Sequence, residues 1–197
     1  MHTIVCRTLI FSYLGHFLPL SLFFIFPLNS PEEQRVVFIV MGVSGSGKTT
    51  IGKALARALN IPFHDADSYH SKTNVEKMKR GIPLTDNDRS PWLETLSSNI
   101  EKWEKEGGGV LACSALKAVY RKILVSKTQE QVTFIFLQGT RDRISERMRN
   151  RKGHFMPETL LDSQFSVLEP PKDAITVSVE NTPEKILEEI LLKLHYK

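Results

Sequence analysis

Apolar and polar positions follow two different periods along residues 36–197. Short runs that are largely apolar predict strands at 36–42, 61–67, 109–114, 132–139 and 174–179. A continuous run such as VVFIVMG at 36–42 is typical of a strand that is buried on both faces of a sheet. Between these runs apolar residues recur at helical spacing, which predicts helices at 48–59, 90–106, 116–126, 141–150, 157–166 and after Thr182.

The order of these elements predicts the fold class. Five buried strands separated by helices predict an α/β protein that has a five-stranded parallel sheet with helices on both faces. Ligands of such sheets bind beyond the carboxyl ends of the strands. The residues that directly follow each strand are therefore the first candidates for a functional site.

Two of the predicted helices have recognisable starts. Ser90 and Thr182 are suitable N-caps, and each precedes a proline, a residue that the first helical turn accepts. In the helix over 90–106, one apolar stripe is predicted to face the core, and it consists of Leu93, Leu96, Ile100 and Trp103.

The first 35 residues form a separate part of the chain, an apolar extension that ends in a linker. Residues 8–28 carry no charged side chain and are long enough to span a bilayer as a helix. Three interpretations stay open: an alternative or misassigned start, a membrane anchor or signal, and an organellar targeting element. We therefore predict an extension over 1–35 and a domain over 36–197, with membrane contact only if residues 8–28 are retained.

Composition and charge narrow the function classes. The chain is 41% hydrophobic and 24% charged, which excludes a collagen-like, coiled-coil or wholly disordered protein. The net charge of +4 lies wholly in residues 36–197, because residues 1–35 carry two basic and two acidic side chains. A mildly basic domain fits phosphate ligands. The two cysteines, Cys6 and Cys113, form no disulfide framework and suit a reducing compartment, so we expect the domain to be cytoplasmic.

Residues 42–49 read GVSGSGKT and fit the phosphate-loop pattern G-x-x-x-x-G-K-[ST], the Walker A motif, at every fixed position. Glycines let the backbone turn so that its N–H groups point into one concave nest. Lys48 supplies a flexible positive charge for the β- and γ-phosphates, and the Thr49 hydroxyl can ligate Mg²⁺. The nucleotide site is therefore predicted to consist of Gly42, Val43, Ser44, Gly45, Ser46, Gly47, Lys48, Thr49 and Thr50.

The acids that follow the second strand indicate which class of phosphate-loop protein this is. The chain lacks the N/T-K-x-D and D-x-x-G strings of GTPases, and its third and fourth strands do not end in acids. Asp65 and Asp67, two positions apart on a segment predicted to be extended, should point the same way. This arrangement favours a small-molecule kinase, with Asp67 as the base for an attacking hydroxyl and Asp65 as the Mg²⁺ partner.

A basic helix supplies further candidates. Residues 141–152 carry six basic and two acidic side chains. Arg147 and Arg151 lie four positions apart and so share a helix face. Placed over bound ATP, they would neutralise the charge that develops on the transferred phosphoryl group.

Three long strings resemble the gluconate kinases, also called the gluconokinase family. They are DADSYHSKTNVEKMKRGIPLTDNDRSPWL at 65–93, ACSALKAVYRKIL at 112–124 and RKGHFMPETLLDSQFSVLEPP at 151–171, which matches the lid segment of that family. The resemblance runs through about 36–194. One small departure is the Lys-Thr-Thr at 48–50, where Lys-Ser-Thr is commoner, and threonine supplies the same hydroxyl.

The resemblance implies a fold, a reaction and cofactors. The fold is that of P-loop NTPases of the nucleoside-monophosphate-kinase type, with a mobile lid at about 147–167. The lid implies a catalytic role for Arg151, which adjoins the lid string, and nucleotide binding for Arg147. The reaction is phosphoryl transfer from ATP, with Mg²⁺, to the 6-hydroxyl of D-gluconate, which gives 6-phospho-D-gluconate and feeds gluconate into the pentose phosphate pathway. Members are often dimers, so a homodimer is implied as well.

The resemblance also implies a substrate wall. Gluconate needs a cation for its carboxylate, and the arginine fork binds both carboxylate oxygens. The family's motifs place Arg89 and Arg121 near the substrate. His70 is expected to hydrogen-bond a substrate hydroxyl, and Ser114 and Lys117, just past the third strand, are expected to face the same pocket.

Other function classes stay as alternatives. The nearest is a shikimate or nucleotide kinase on the same scaffold, against which the string DNDRSPWL at 86–93 favours gluconate. Nucleic-acid binding through the basic helix lacks interleaved aromatic residues and a recognised module, so we expect no nucleic-acid partner. A membrane-anchored nucleotide-binding protein without catalysis is the third, and the complete phosphate loop and its acids argue against it.

Overall fold

The sheet determines where the site lies. The computed structural model describes residues 36–129, 132–150 and 158–195. All strands of this part are parallel, in the order β2-β3-β1-β4-β5, which confirms the predicted five-stranded parallel sheet. The chain passes from β1 to β2 and β3 on one side and then to β4 and β5 on the other, so β1 lies at a switch point. The strands are β1 (Val37–Met41), β2 (Phe63–Asp65), β3 (Gly109–Ala112), β4 (Thr133–Gln138) and β5 (Ile175–Ser178).

Helices connect the strands, as the apolar periodicity predicts. A 3-10 turn, Ala66–Tyr69, directly follows β2. The helices are α1 (Lys48–Leu59), α2 (Lys72–Lys79), α3 (Asp86–Lys105), α4 (Ala118–Leu124), α5 (Arg141–Asn150), α6 (Glu158–Val167) and α7 (Pro183–His195).

Two hydrophobic clusters hold the helices against the sheet. Successive residues of β1 point to opposite faces, so Val40 joins one cluster while Ile39 and Met41 join the other. The first cluster also contains residues of α1 and α7, and the second contains residues of α3 and α4. Because β1 is covered on both faces, the phosphate loop begins from a strand that is fixed on both sides.

Helix α3 begins earlier than predicted. Thr85, not Ser90, is its N-cap, and Thr85 and Asp88 form a reciprocal capping box. The prediction that Pro91 lies in the first turn is wrong, because Pro91 lies inside the helix. The capping box and the buried stripe, whose four predicted members are all in the core, offset the hydrogen bond that Pro91 removes.

Helix α2 was not predicted, because its eight residues carry too few apolar side chains for a periodic signal. Its N-cap is Ser71, whose hydroxyl accepts a hydrogen bond from the Asn74 amide at 3.2 Å. Asn74 is buried and donates through Nδ2 to the Asp88 carbonyl oxygen at 2.8 Å. This bond attaches α2 to the start of α3, next to the predicted substrate wall.

Some predictions fall outside the described residues. The extension over 1–35, with its apolar run 8–28, lies there, and so do residues 151–157 of the predicted lid, including Arg151. None of the helices in the described ranges has the length and apolar character needed to cross a membrane. The domain boundary at 35/36 therefore stays a prediction.

Candidate active site

The phosphate loop connects β1 to α1 in a tight turn. Gly45 has a φ of 82°, and a Cβ at this position would lie 2.6 Å from Cγ of Met148, so glycine is required. Helix α1 begins after Gly47, which offers no capping side chain, and its first turn contains no acidic residue. The N–H groups at this helix start are therefore available to an anion.

The other loop residues contribute mainly through their backbone. Val43 and Ser46 are buried, at 3% and 1% exposure, and point into the protein. The Gly42 N–H donates to the Ser114 carbonyl oxygen at 3.4 Å, which brings the end of β3 against the loop. Thr50, predicted to bind nucleotide, is exposed on α1.

Lys48 lies at the first position of α1 and is directed back over the loop. Its Nζ donates to the Val43 carbonyl oxygen at 3.0 Å. Burial lowers the pKa of Lys48, while attraction to Asp67 and Asp65 opposes that shift. The nearby Cys113 is buried, and burial raises the pKa of its thiol to about 12, so it stays protonated and is no nucleophile.

Asp65 is the last residue of β2, and Asp67 lies inside the 3-10 turn that follows it. Both were expected on an extended segment, and this is wrong for Asp67, because the chain enters the 3-10 turn at Ala66. Asp65 Oδ2 accepts a hydrogen bond from the Thr49 hydroxyl at 3.1 Å, and Asp65 Oδ1 accepts one from the Asp67 amide at 3.1 Å. Asp65 therefore faces the phosphate loop, while the exposed Asp67 lines a cavity.

The donors next to the loop suit magnesium. Thr49 and Asp65 offer hard oxygen atoms, which Mg²⁺ prefers, and Mg²⁺ commonly takes only one or two protein ligands besides water and phosphate oxygens. In the described ranges, no group of three or more His, Cys, Asp or Glu side chains could hold a metal by itself. This pair fits a metal that arrives together with a nucleotide.

One cavity joins the phosphate loop to the segments after β2 and β3. Ser44 and Lys48 form its loop side, and Asp67 and Ser114 come from the ends of β2 and β3. Its other lining residues come from the 3-10 turn, α2, α3, α6 and the connection before α3; they are His70, Met78, Ile82, Pro83, Leu84, Arg89, Trp92, Leu160, Ser163 and Gln164.

His70 lines this cavity as a neutral hydrogen-bonding group. Its ring stacks on Trp92, with centroids 4.4 Å apart and an interplanar angle of 12°. Burial lowers the pKa of His70, an effect that Asp67 opposes and Arg89 supports. Its buried Nδ1 has no hydrogen-bond partner among the described residues. A hydroxyl group in the cavity would supply one.

Arg89 brings a positive charge to the wall of this cavity. It is half-buried on the first turns of α3, and its Nη1 donates to the Leu84 carbonyl oxygen. The guanidinium carbon lies 5.8 Å from the centre of the Tyr120 ring. These contacts hold the guanidinium in place at the cavity wall, where its remaining N–H groups suit an anion.

Lys117 and Arg147, two of the predicted site residues, do not line this cavity. Lys117 donates to both oxygens of Asp86 at 2.9 Å. Arg147 donates to the carbonyl oxygens of Val179 and Asn181, in the connection after β5. Lys117 and Arg147 thus keep their predicted roles only as proposals.

Arg121 does not line the cavity but binds the backbone that follows Ser114. Its Nη1 donates to the carbonyl oxygens of Ala115 and Leu116, at 3.0 and 3.2 Å. Ala115 has a φ of 44°, an uncommon value for a residue with a Cβ, and it follows Ser114. Arg121 therefore holds the turn that presents Ser114, and the geometry gives no support to its predicted contact with substrate.

Sequence reasoning missed two groups. Gln164 of α6 accepts a hydrogen bond through Oε1 from the Ser44 amide at 2.7 Å, directly at the phosphate loop. Trp92 donates a hydrogen bond to the 3-10 turn and stacks on the His70 ring. Their only sequence signal is their place inside the strings that resemble the gluconokinase family, because neither belongs to a chemical motif.

The chain is similar to known proteins in sequence and in fold. The shikimate kinase family model matches residues 44–194. A protein of Dictyostelium discoideum named "Probable gluconokinase" is 45% identical over 175 residues, which cover 82% of this chain and 88% of the relative. The "Gluconokinase" of Arabidopsis thaliana is 44% identical over 170 residues, covering 79% and 90%. The crystal structure of a gluconokinase from Sinorhizobium meliloti 1021 superimposes with a TM-score of 0.77 at 39% identity, covering 83% and 93%.

The parallel sheet, the phosphate loop and the adjoining cavity define an enzyme of the P-loop class, a kinase that transfers phosphoryl groups from a nucleotide to a small molecule. The chain belongs to the gluconokinase family.

Proposed function

We propose that the protein phosphorylates D-gluconate at its 6-hydroxyl with ATP, giving 6-phospho-D-gluconate and ADP. The observation that carries the proposal is the cavity that joins Ser44 and Lys48 of the phosphate loop to the acceptor-side groups Asp67, His70 and Arg89. The names of the relatives favour gluconate over shikimate as the acceptor. The product would enter the pentose phosphate pathway.

The lining of the cavity matches the chemistry of an aldonate. The Arg89 guanidinium is suited to the carboxylate, because its planar fork can donate two parallel hydrogen bonds. Neutral His70 and the Ser114 hydroxyl are suited to the hydroxyl groups along the chain. The carbon backbone would lie against the apolar residues 82–84.

In the proposed reaction the 6-hydroxyl oxygen bonds to the γ-phosphorus while the bond from that phosphorus to the β–γ bridging oxygen breaks. Asp67 accepts the proton of the hydroxyl. Lys48 and the loop N–H groups hold the phosphates and stabilise the charge of the transition state. Bound Mg²⁺, held by Thr49 and Asp65, would neutralise phosphate charge.

The last part of the proposed mechanism is a lid that closes over the bound nucleotide. Water must be excluded, because it would otherwise accept the phosphoryl group in place of gluconate. We assign this to the lid at about 147–167, with Arg151 acting on the transferred group and Arg147 on the nucleotide. We also propose a cytoplasmic kinase domain that can form a homodimer, and a substrate-binding role for Lys117.

The acceptor test is turnover of ATP by the full-length protein against D-gluconate, other aldonic acids, shikimate, AMP and CMP. We expect turnover with gluconate to exceed that with shikimate or a nucleotide by at least about 10²-fold. Shikimate carries its carboxylate and hydroxyl groups on a ring and so presents them in a different arrangement from the open chain of gluconate, and a nucleotide has no carboxylate. ATP consumption and the phosphorylated product are measured in parallel.

Other outcomes of that panel are equally informative. Turnover with shikimate or a nucleotide alone would keep the kinase chemistry and reject the assigned substrate wall. ATP binding without turnover of any acceptor would reject the proposed function.

Replacing Arg89 by alanine should act on the acceptor alone. Hydrogen bonds to a charged group contribute about 2–3 kcal/mol, so we expect the KM for gluconate to rise roughly 30- to 150-fold. The KM for ATP should change less than about threefold. Arg89→Lys keeps the charge and loses the fork, so it should recover only part of the affinity.

The matched control for this prediction is Lys102→Ala, which removes an exposed cation of the same helix. It should leave both KM values unchanged. An equal rise of the two KM values in Arg89→Ala would contradict the assignment of Arg89 to the carboxylate.

A further inference from the structure

Trp92 connects helix α3 to the 3-10 turn that carries Asp67. The indole is 5% exposed, and its Nε1–H donates to the Ala66 carbonyl oxygen at 2.8 Å. A buried indole N–H needs such a partner. The carbonyl belongs to the peptide group that joins Ala66 to Asp67, so this bond fixes the backbone orientation from which the Asp67 side chain projects.

The face of the same ring contacts the other end of the turn. His70 stacks on Trp92, and the His70 amide donates to the Asp67 carbonyl oxygen at 3.4 Å. One side chain therefore touches the peptide before Asp67 by its edge and the residue that closes the turn by its face. The other side-chain contacts of the turn are different in kind: the Asp67 amide donates to Asp65 Oδ1, and Tyr69 packs edge-on against Trp103.

The helix that carries Trp92 is a rigid support. Helix α3 has 20 residues and a two-sided N-terminal cap, and its neighbours Leu93 and Leu96 are fully buried. A reacting group keeps its geometry best when it is held from an element that is itself fixed by packing. Misplacement of a catalytic group by about 1 Å can lower the rate by about 10²-fold.

We propose that Trp92 is a positioning residue for phosphoryl transfer, which orients Asp67 through the Ala66 carbonyl and fixes the ring of His70 by stacking. This inference rests on the proposed function in one respect, the role of Asp67 as the base. It does not depend on which small molecule is the acceptor.

Trp103 provides a matched control on the same helix. It is 6% exposed, stacks on a histidine, His64, at 3.7 Å and 7°, and lies outside the cavity lining. Trp92→Phe and Trp103→Phe therefore remove similar buried surface. Only Trp92→Phe deletes a hydrogen bond to the acid-bearing turn, and it keeps an aromatic face for His70.

The test measures kcat, both KM values and Tm of the full-length variants. We expect Trp92→Phe to lower kcat about 10- to 50-fold with less than about a threefold change in either KM. Trp92→Leu, which also loses the stacked face, should in addition raise the KM for the acceptor. Trp103→Phe should keep kcat within about twofold of the unchanged protein at a similar loss of Tm.

A double-mutant cycle distinguishes a positioning role of Trp92 from a general loss of structural stability. In an Asp67→Asn background, Trp92→Phe should lower kcat less than about twofold, because the group it positions is already gone. An equal fold-loss in both backgrounds, or a normal kcat in Trp92→Phe, would overturn the proposal. Trp92→Tyr deletes the same N–H with a different ring, and failure of both variants to fold beside a folded Trp103→Phe would likewise reject it.

Failure of the proposed function gives a different result. The unchanged protein would then turn over another acceptor or none, whereas failure of this inference leaves the unchanged protein active on gluconate.

Discussion

Replacing Lys48 by methionine should lower kcat by about 10³-fold or more. The variant keeps the length of the side chain and removes its charge. A single donor that stabilises transition-state charge is commonly worth about 10²- to 10³-fold, and Lys48 supplies a full charge in a partly buried position. The measurement is single-turnover phosphoryl transfer at saturating ATP, so that weaker nucleotide binding does not hide the chemical step.

The structure explains why a neighbouring lysine cannot replace it. Lys48 reaches back to the Val43 carbonyl oxygen inside the loop, where burial lowers its pKa and attraction to Asp67 opposes that shift. Lys53 of the same helix is exposed and lies 5.7 Å from the centre of the Phe63 ring, away from the loop. Its charge acts in solvent and contributes little at the phosphates.

Lys53→Met is therefore the matched control. It removes the same charge from the same helix, and kcat should stay within about twofold. Retention of more than a tenth of kcat in Lys48→Met would show that the loop lysine does not carry the transition-state charge. Nucleotide binding without turnover in Lys48→Met agrees with the prediction.

The sequence predicts the fold well where burial is two-sided. The strand at β1 is apolar at every position because both of its faces are covered, so its run stands out without any long-range information. The phosphate loop is equally visible, since Gly45 and Gly47 adopt positive φ angles that the turn requires. Both features are local consequences of the residues themselves.

The other parts of the fold and of the candidate site depend on contacts that cannot be recognised from the sequence alone. The start of α3 is set by the capping box of Thr85 and Asp88, a signal that the Ser90-Pro91 pair obscures. The position of Arg121 behind Ser114 follows from the packing of α4, not from its motif. Gln164 approaches Ser44 across 120 residues of chain, and no periodicity indicates such a contact.

The contacts of Asp65 and Asp67 bear on their proposed roles more directly than their spacing in the sequence does. In sequence Asp65 and Asp67 are interchangeable, but Asp65 ends β2 while Asp67 lies in the 3-10 turn, and so their surroundings differ. Asp65 already accepts two hydrogen bonds, from the Thr49 hydroxyl and the Asp67 amide, and so its oxygens are committed beside the loop. Asp67 lines the cavity with an exposed carboxylate. The geometry therefore supports Asp67 as the base and Asp65 as the metal partner.

Asp67→Asn should lower kcat by about 10²- to 10⁴-fold, because an amide cannot accept the proton of the attacking hydroxyl. The side chain keeps its shape and still lines the cavity, so the KM for ATP should change less than about threefold. The measurement is the full kinetic set at saturating Mg²⁺, with the product identified so that acceptor phosphorylation is separated from ATP hydrolysis.

Asp65→Asn is the discriminating partner variant, because it should raise the Mg²⁺ concentration needed for half-maximal rate and regain activity as Mg²⁺ increases. Asp67→Asn should regain none. Asp173→Asn, an exposed acid far along the chain, controls for the loss of one negative charge. Rescue of Asp67→Asn by Mg²⁺, together with a Mg²⁺-independent loss in Asp65→Asn, would exchange the two roles. Distinct responses of two acids only two positions apart would follow directly from the turn at Ala66, which gives each of them its own set of contacts.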